Sequence, residues 1–347
     1  MKRHNIQILR IAACFGVFIV HLGQRLEPCA TIRFFTDYGA KGAYLFFLIS
    51  GYVSFLSFER THGGLGLLKY YVTRLARILP VYYVVILYQF LLHTFILRDV
   101  PVDETRLGWK RYIFCISKMV PAQETFWTNL NSTWTIGAFL VFYLSPPLLY
   151  RCIRNFNTAL LGWVISYLLS FCLNYYLPGY FEPVKQMQYF LFGIVIYYID
   201  RGRKINQGLV FYMVNIFFVA TLTSDWRNDV WMMVFGLLVM CSRNLHISNG
   251  LLYCCISCLD ECSYSVYLIH VTVMEYVDRW KLSHTINWRM QAFMIIILGS
   301  ITGTFLVHNL VERPVYYLAR KYAREENGIS ARQIYKKMIK KGGDVKW

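Results

Sequence analysis

Residues 2–23 read KRHNIQILRIAACFGVFIVHLG. Two basic residues, Lys2 and Arg3, precede an apolar run from Ile11 to Val20. This imitates a secretory signal, but Arg10 interrupts the pattern and no small-x-small cleavage site precedes Gly23. The segment is therefore expected to stay in the bilayer as a first helix.

Working outward, windows of similar character recur. A helical span needs roughly 20 mostly apolar residues. The candidates are 6–22, 40–58, 78–97, 132–150, 159–177, 187–199, 208–223, 230–241, 262–277 and 292–310, of which the sixth and eighth are short. The expected fold class is all-α, a polytopic membrane helical bundle of about ten transmembrane helices. Composition agrees. Of 347 residues, 56% are hydrophobic and only 16% charged, too few to cover a soluble surface of this size. The mean hydropathy is +0.39. The aromatic content, with 27 Tyr and 25 Phe, suits rings placed at the bilayer interfaces.

The formal net charge is +17. In a soluble protein that balance would point to nucleic acid. Here Lys and Arg gather at the N-terminus, in 59–77, 151–157 and 200–207, and after 312. By the positive-inside rule both termini are expected in the cytoplasm, with the tail able to touch anionic lipid and no nucleic-acid partner. Residues 1–318 then form the membrane domain and 319–347 a basic cytoplasmic tail. The mixed apolar and basic segment 66–77 reads as a helix on the cytoplasmic face, with Pro80 near the start of the span that follows. The longest outside loop is 98–131.

Ionisable groups inside a bilayer are costly, which makes them candidates for function. Arg10 and His21 are eleven residues apart. That is about three helical turns, so both project from nearly one face, about 16 Å apart along the axis. A permanent cation is thus paired with an imidazole able to serve as a general base. The plainer reading has Arg10 snorkelling and His21 at the interface. Arg74 and Arg77 share a helix face, where two guanidiniums suit either a phosphate clamp or lipid headgroups. Ser50-Gly51 in the second span suits close helix packing. Tyr267 and His270 also share a face and either line a polar cavity or bond between helices. Trp134 and Tyr143 mark the fourth span. Glu312-Arg313-Pro314 closes the tenth, with an ion pair between the first two and Pro314 ending the helix. The ten cysteines show no zinc spacing, and the Cys254, Cys255, Cys258, Cys262 group reads as small packing residues, so no metal is expected.

In order, the chain runs L-R-x10-H, FFLISGY, R-x-x-R-I-L-P-x-Y, W-x8-Y followed by Pro146 and Pro147, S-Y-S-V-Y-L-I-H, and V-E-R-P. This combination, over residues 5–318, resembles the acyltransferase 3 family of multi-pass membrane acyltransferases. The resemblance implies transfer of an acyl group, commonly acetyl, from cytoplasmic acyl-CoA to a hydroxyl of a surface polysaccharide or lipid-linked glycan. The enzyme would sit in the cell membrane, with acetyl-CoA as co-substrate and no bound cofactor. His21 and Arg10 match the family's R-x10-H pair and become the catalytic candidates. Arg74 and Arg77 match its R-x-x-R and become the acyl-CoA ligands. Ser50, Trp134, Tyr267 and His270 are the candidates for lining the cavity or stabilising an oxyanion. The sequence departs from many members in carrying no acidic residue after Trp134, which puts the carboxylate that would orient the histidine in doubt. A transporter or flippase of glycans or small solutes would also need intramembrane charge and a polar passage. A non-catalytic sensor that keeps the fold is the third reading.

Overall fold

A computed structural model describes residues 4–26, 30–58, 64–98, 110–119, 133–202, 228–279 and 288–323. Among them every regular element is helical. In hydrocarbon no water can satisfy a free N–H or C=O, and a helix pairs them within its own segment.

The principal helices are α1 (His4–Leu26), α2 (Ala30–Tyr38), α3 (Gly42–Phe58) and α4 (Gly64–Leu91). After the short α5 (Lys110–Ile113) come α6 (Trp134–Leu144), α7 (Pro146–Cys152) and α8 (Phe156–Tyr176). A second short helix, α9 (Glu182–Lys185), precedes α10 (Met187–Gly202), α11 (Asn228–Cys241), α12 (Gly250–Arg279) and α13 (Trp288–Val307). Among the described residues, five helices are long and apolar enough to cross a membrane, or six if the bent pair α6–α7 is one span. The expected span at 208–223, most of the 98–131 loop and the tail beyond Ala323 lie outside the described residues.

Three expectations are corrected. The segment 66–77 is not a separate surface helix: it runs straight into the following span as α4, with Pro80 in the interior. Pro80 leaves the Ala76 carbonyl without its usual partner, yet the helix continues through it. Pro314 does not stop the last helix, which extends to Ala323. A π-turn at His308–Glu312 lies just ahead of Pro314. It moves the hydrogen-bond register from i−4 to i−5, where a residue lacking N–H disrupts less. The helix expected at 262–277 starts at Gly250, taking in Asp260 and Glu261.

In the fourth span the axis turns by 46° between α6 and α7, at the Ser145-Pro146 step. α8 is capped by a reciprocal pair: the Thr158 N–H donates to Asn155 Oδ1 and the Asn155 N–H to Thr158 Oγ1. α10 is buried along Tyr189–Tyr197 and forms the centre of one half of the bundle. It packs on α8 and α3. The line continues from α3 to α1, α12 and α13, while α4 closes against α12, α6 and the π-turn. The α3–α10 contact is backbone to backbone. A Cβ on Gly51 would run into the Phe190 carbonyl, and one on Gly193 into that of Leu48. The Ser-Gly step thus does what its spacing suggested, bringing two helices close.

Candidate active site

Arg10, on α1, meets Asp260, on α12, through an Nη2–Oδ2 contact of 2.7 Å. Gln7, one turn earlier on α1, reaches the same carboxylate oxygen at 3.4 Å. Arg77 on α4 approaches the Asp260 carbonyl at 3.5 Å. The Ser263 hydroxyl donates to that carbonyl at 2.8 Å. Tyr264 donates to the Ile78 carbonyl at 2.7 Å, tying α12 to α4. Three helices are thereby held together around one acidic residue. Arg10 Nε and Asp260 Oδ1 remain buried with no hydrogen-bond partner. Buried polar atoms are ordinarily satisfied, so this unused capacity points to a ligand.

Arg74 is held differently. Its Nη2 donates to Ser57 Oγ at 2.9 Å, and its guanidinium lies over the rings of Tyr70 and Tyr143, 5.7 and 5.5 Å from their centres.

Two cavities meet here. The inner one, about 80 Å³, is lined by Arg10, Arg74 and Arg77 with Ser50, Thr135 and Tyr267. No carboxylate is among its lining residues. The larger, about 480 Å³, shares Arg10, Val53 and Arg77 with it and adds Asp260, Glu312, Arg313 and Arg320. Three guanidiniums bordering one small space favour an anion, since partly desolvated cations gain most from an opposite charge.

His21 lies elsewhere and lines neither cavity. Its Nδ1 is 3.1 Å from Gln24 Oε1. With the Gln24 amide oxygen as the acceptor, the Nδ1–H tautomer of the neutral ring leaves the lone pair on Nε2. The His270 ring packs against it at 5.4 Å. The His270 Nδ1 bonds to the Val266 carbonyl at 2.9 Å, and its buried Nε2 has no hydrogen-bond partner. Tyr267 joins the two places: it lines the inner cavity and its ring lies 6.0 Å from His270. Its hydroxyl accepts from Thr135 Oγ1 at 3.1 Å.

Of the residues singled out by the sequence, Arg10, Ser50, Arg74, Arg77 and Tyr267 converge on one cavity. Tyr143, from the same motif as Trp134, also lines it. His270 lines neither cavity and sits with His21. Trp134 also lines neither and packs edge-on against Phe47. The ion pair expected between Glu312 and Arg313 is replaced. Glu312 accepts from Ser265 and pairs with His308 Nδ1, four residues earlier, at 2.9 Å. Asp260 and Gln7 are the members the sequence reading missed. A carboxylate preceding S-Y-S-V-Y-L-I-H in an otherwise apolar region was the available signal.

A family model described as an acyltransferase domain, acyltransferase 3, matches residues 3–309. No curated protein and no solved structure matches the chain. With nearly its whole length matched, the chain belongs to the acyltransferase 3 family.

Proposed function

We propose that this membrane acyltransferase moves an acyl group, acetyl in the simplest case, from cytoplasmic acyl-CoA to a hydroxyl of a surface or lipid-linked carbohydrate. The observation that carries this reading is the small cavity shared by Arg10, Arg74 and Arg77. A coenzyme A thioester brings phosphates that need guanidiniums and a slender arm that needs a narrow passage. The larger cavity, with Arg313 and Arg320 on its wall, is the mouth by which it enters. In this reading both termini are cytoplasmic, the chain completes about ten spans, and the protein sits in the cell membrane.

His21 Nε2 takes the proton of the acceptor hydroxyl as its oxygen attacks the thioester carbonyl. The C–O bond forms, the C–S bond breaks, and the coenzyme A thiolate leaves with the proton returned by the imidazolium. Gln24, on Nδ1, does the orienting that a carboxylate does elsewhere. The thioester reaches His21 from the inner cavity past Tyr267, whose ring stands between that cavity and the imidazole pair. Swinging it aside opens the passage. The Tyr267 hydroxyl, which accepts from Thr135 and keeps its own proton, is then placed to donate to the developing oxyanion, while the free Nε2 of His270 can only accept from the acceptor.

The test uses purified protein with labelled acetyl-CoA and a panel of glycans. Wild type should acylate a glycan. His21→Ala should lose about a hundredfold or more in rate, the usual worth of a general base, while still binding acetyl-CoA and remaining folded. Transfer at the wild-type rate by that variant removes His21 from the chemistry. Movement of an unmodified glycan across the membrane by wild type, with no acyl transfer, would make the protein a transporter instead.

A further inference from the structure

A third cavity, about 370 Å³, lies between α1, α12 and α13. Its size falls within the roughly 300–1,000 Å³ of small-molecule sites. Its walls include Phe15 and Phe18 from α1, Val266 from α12 and Ile301 from α13. Phe15 and Ile301 are 61% and 62% exposed on helices that can span a membrane, so the groove opens toward hydrocarbon. Three hydroxyl residues, Ser263, Ser300 and Thr304, interrupt the largely apolar wall, and Ser263 already donates to the Asp260 carbonyl. Ser300 Oγ and Thr304 Oγ1, one turn apart on α13, are buried and have no hydrogen-bond partner. A hydroxyl left unpaired in an apolar site is costly, and a ligand oxygen would satisfy it.

The groove adjoins the reaction path without opening into it. Ser263 lines both this groove and the inner cavity. Cys14 Sγ donates to the Ser263 carbonyl at 3.2 Å across the partition. An acyl chain arriving on coenzyme A would have to break that contact, whereas a chain arriving from the bilayer would not. At one end of the groove the Phe18 ring packs against His270 at 5.6 Å, and His270 packs against His21. A chain lying here therefore brings its head group to the imidazole pair.

We infer that this groove holds the hydrocarbon tail of a lipid-linked carbohydrate acceptor, delivered laterally from the membrane. The inference rests on the acyl-transfer reading for its choice of head group. The tail contributes affinity through burial of apolar area, and its oxygen-bearing end meets Ser300 and Thr304.

The probe is a polyprenyl-diphosphate disaccharide with a diazirine on its tail. It is offered to the full-length protein in nanodiscs of phosphatidylethanolamine and phosphatidylglycerol. Light should label residues 288–307. Excess unlabelled polyprenyl-diphosphate disaccharide should suppress that labelling about tenfold, while excess phosphatidylglycerol should not. Thr304→Phe, which fills the groove, should cut labelling about tenfold. Ser300→Ala, which leaves the packing intact, should cut it about threefold. Equal suppression by phosphatidylglycerol makes this an ordinary lipid crevice and overturns the inference. So does the absence of labelling at 288–307, or unchanged labelling in both variants. Labelling needs no chemistry, so the two readings fail separately. A protein that labels but acylates nothing loses the enzymatic reading alone. One that acylates a tail-less glycoside but does not label loses the groove alone.

Discussion

Helix α12 carries a buried carboxylate toward each end, and the two have different surroundings. Asp260 meets Arg10 from α1 and borders the larger cavity, with one oxygen unused. Glu275 faces α4. Its Oε1 lies 3.2 Å from His93 Nε2, and its Oε2 accepts from Gln89 Nε2 at 2.8 Å. All three of those side chains are buried, and none of the cavities described above reaches them. Both clusters are ionisable and polar groups held away from solvent. Gln89 Oε1 is also buried with no hydrogen-bond partner among the described residues, so spare capacity does not separate the clusters; what does is that only Asp260 and Arg10 border an open volume. In a membrane protein, then, buried charge alone does not mark a site. The Glu275 cluster is a fastening between helices, and the Asp260 cluster is a fastening that also borders a cavity.

Replacing Glu275 with Ala should give the largest effect, and on stability alone. Removing the carboxylate shared by His93 and Gln89 should cost about 3 kcal/mol, read as an earlier thermal unfolding in detergent, with acyl transfer per folded molecule unchanged. If activity fell while unfolding stayed put, the contrast between the ends would be reversed. Arg77→Ala should do the opposite. Losing a charge-assisted contact of about 1.5–3 kcal/mol should raise KM for acyl-CoA roughly ten- to a hundredfold, with kcat and unfolding little altered. The smallest change is expected for Asp260→Asn, which keeps the shape and removes the charge that orients Arg10. A fall in kcat of about tenfold, with KM for acyl-CoA near its original value, should appear in steady-state assays. A wild-type kcat there would reduce Asp260 to a fastening like Glu275.

The sequence made the helical class readable because apolar runs of span length have few other uses. It also made Arg10 readable, since a cation inside such a run stands out, and Arg74 with Arg77 through their shared helix face. It did not reveal Asp260. A hydropathy window starts a helix where charge ends, and so placed the beginning at Cys262, twelve residues after Gly250. The charge that disqualified the first turns is one the bundle satisfies internally. Pro80 and Pro314 misled for a related reason: local chemistry predicts a break, and neighbouring helices or a π-turn absorb it. The meeting of His21 with His270 was beyond reach, since 249 positions separate them and only the packing of α1 on α12 brings their rings together.

The grip of Tyr70 and Tyr143 on Arg74 has an electrostatic consequence. A ring quadrupole steadies a cation without cancelling its monopole, whereas the carboxylate on Arg10 largely does. Arg74 therefore projects nearly its whole unit of charge into the inner chamber, already aimed. The first handhold offered to an arriving polyanion would be this one, while Arg10 stays oriented by Asp260.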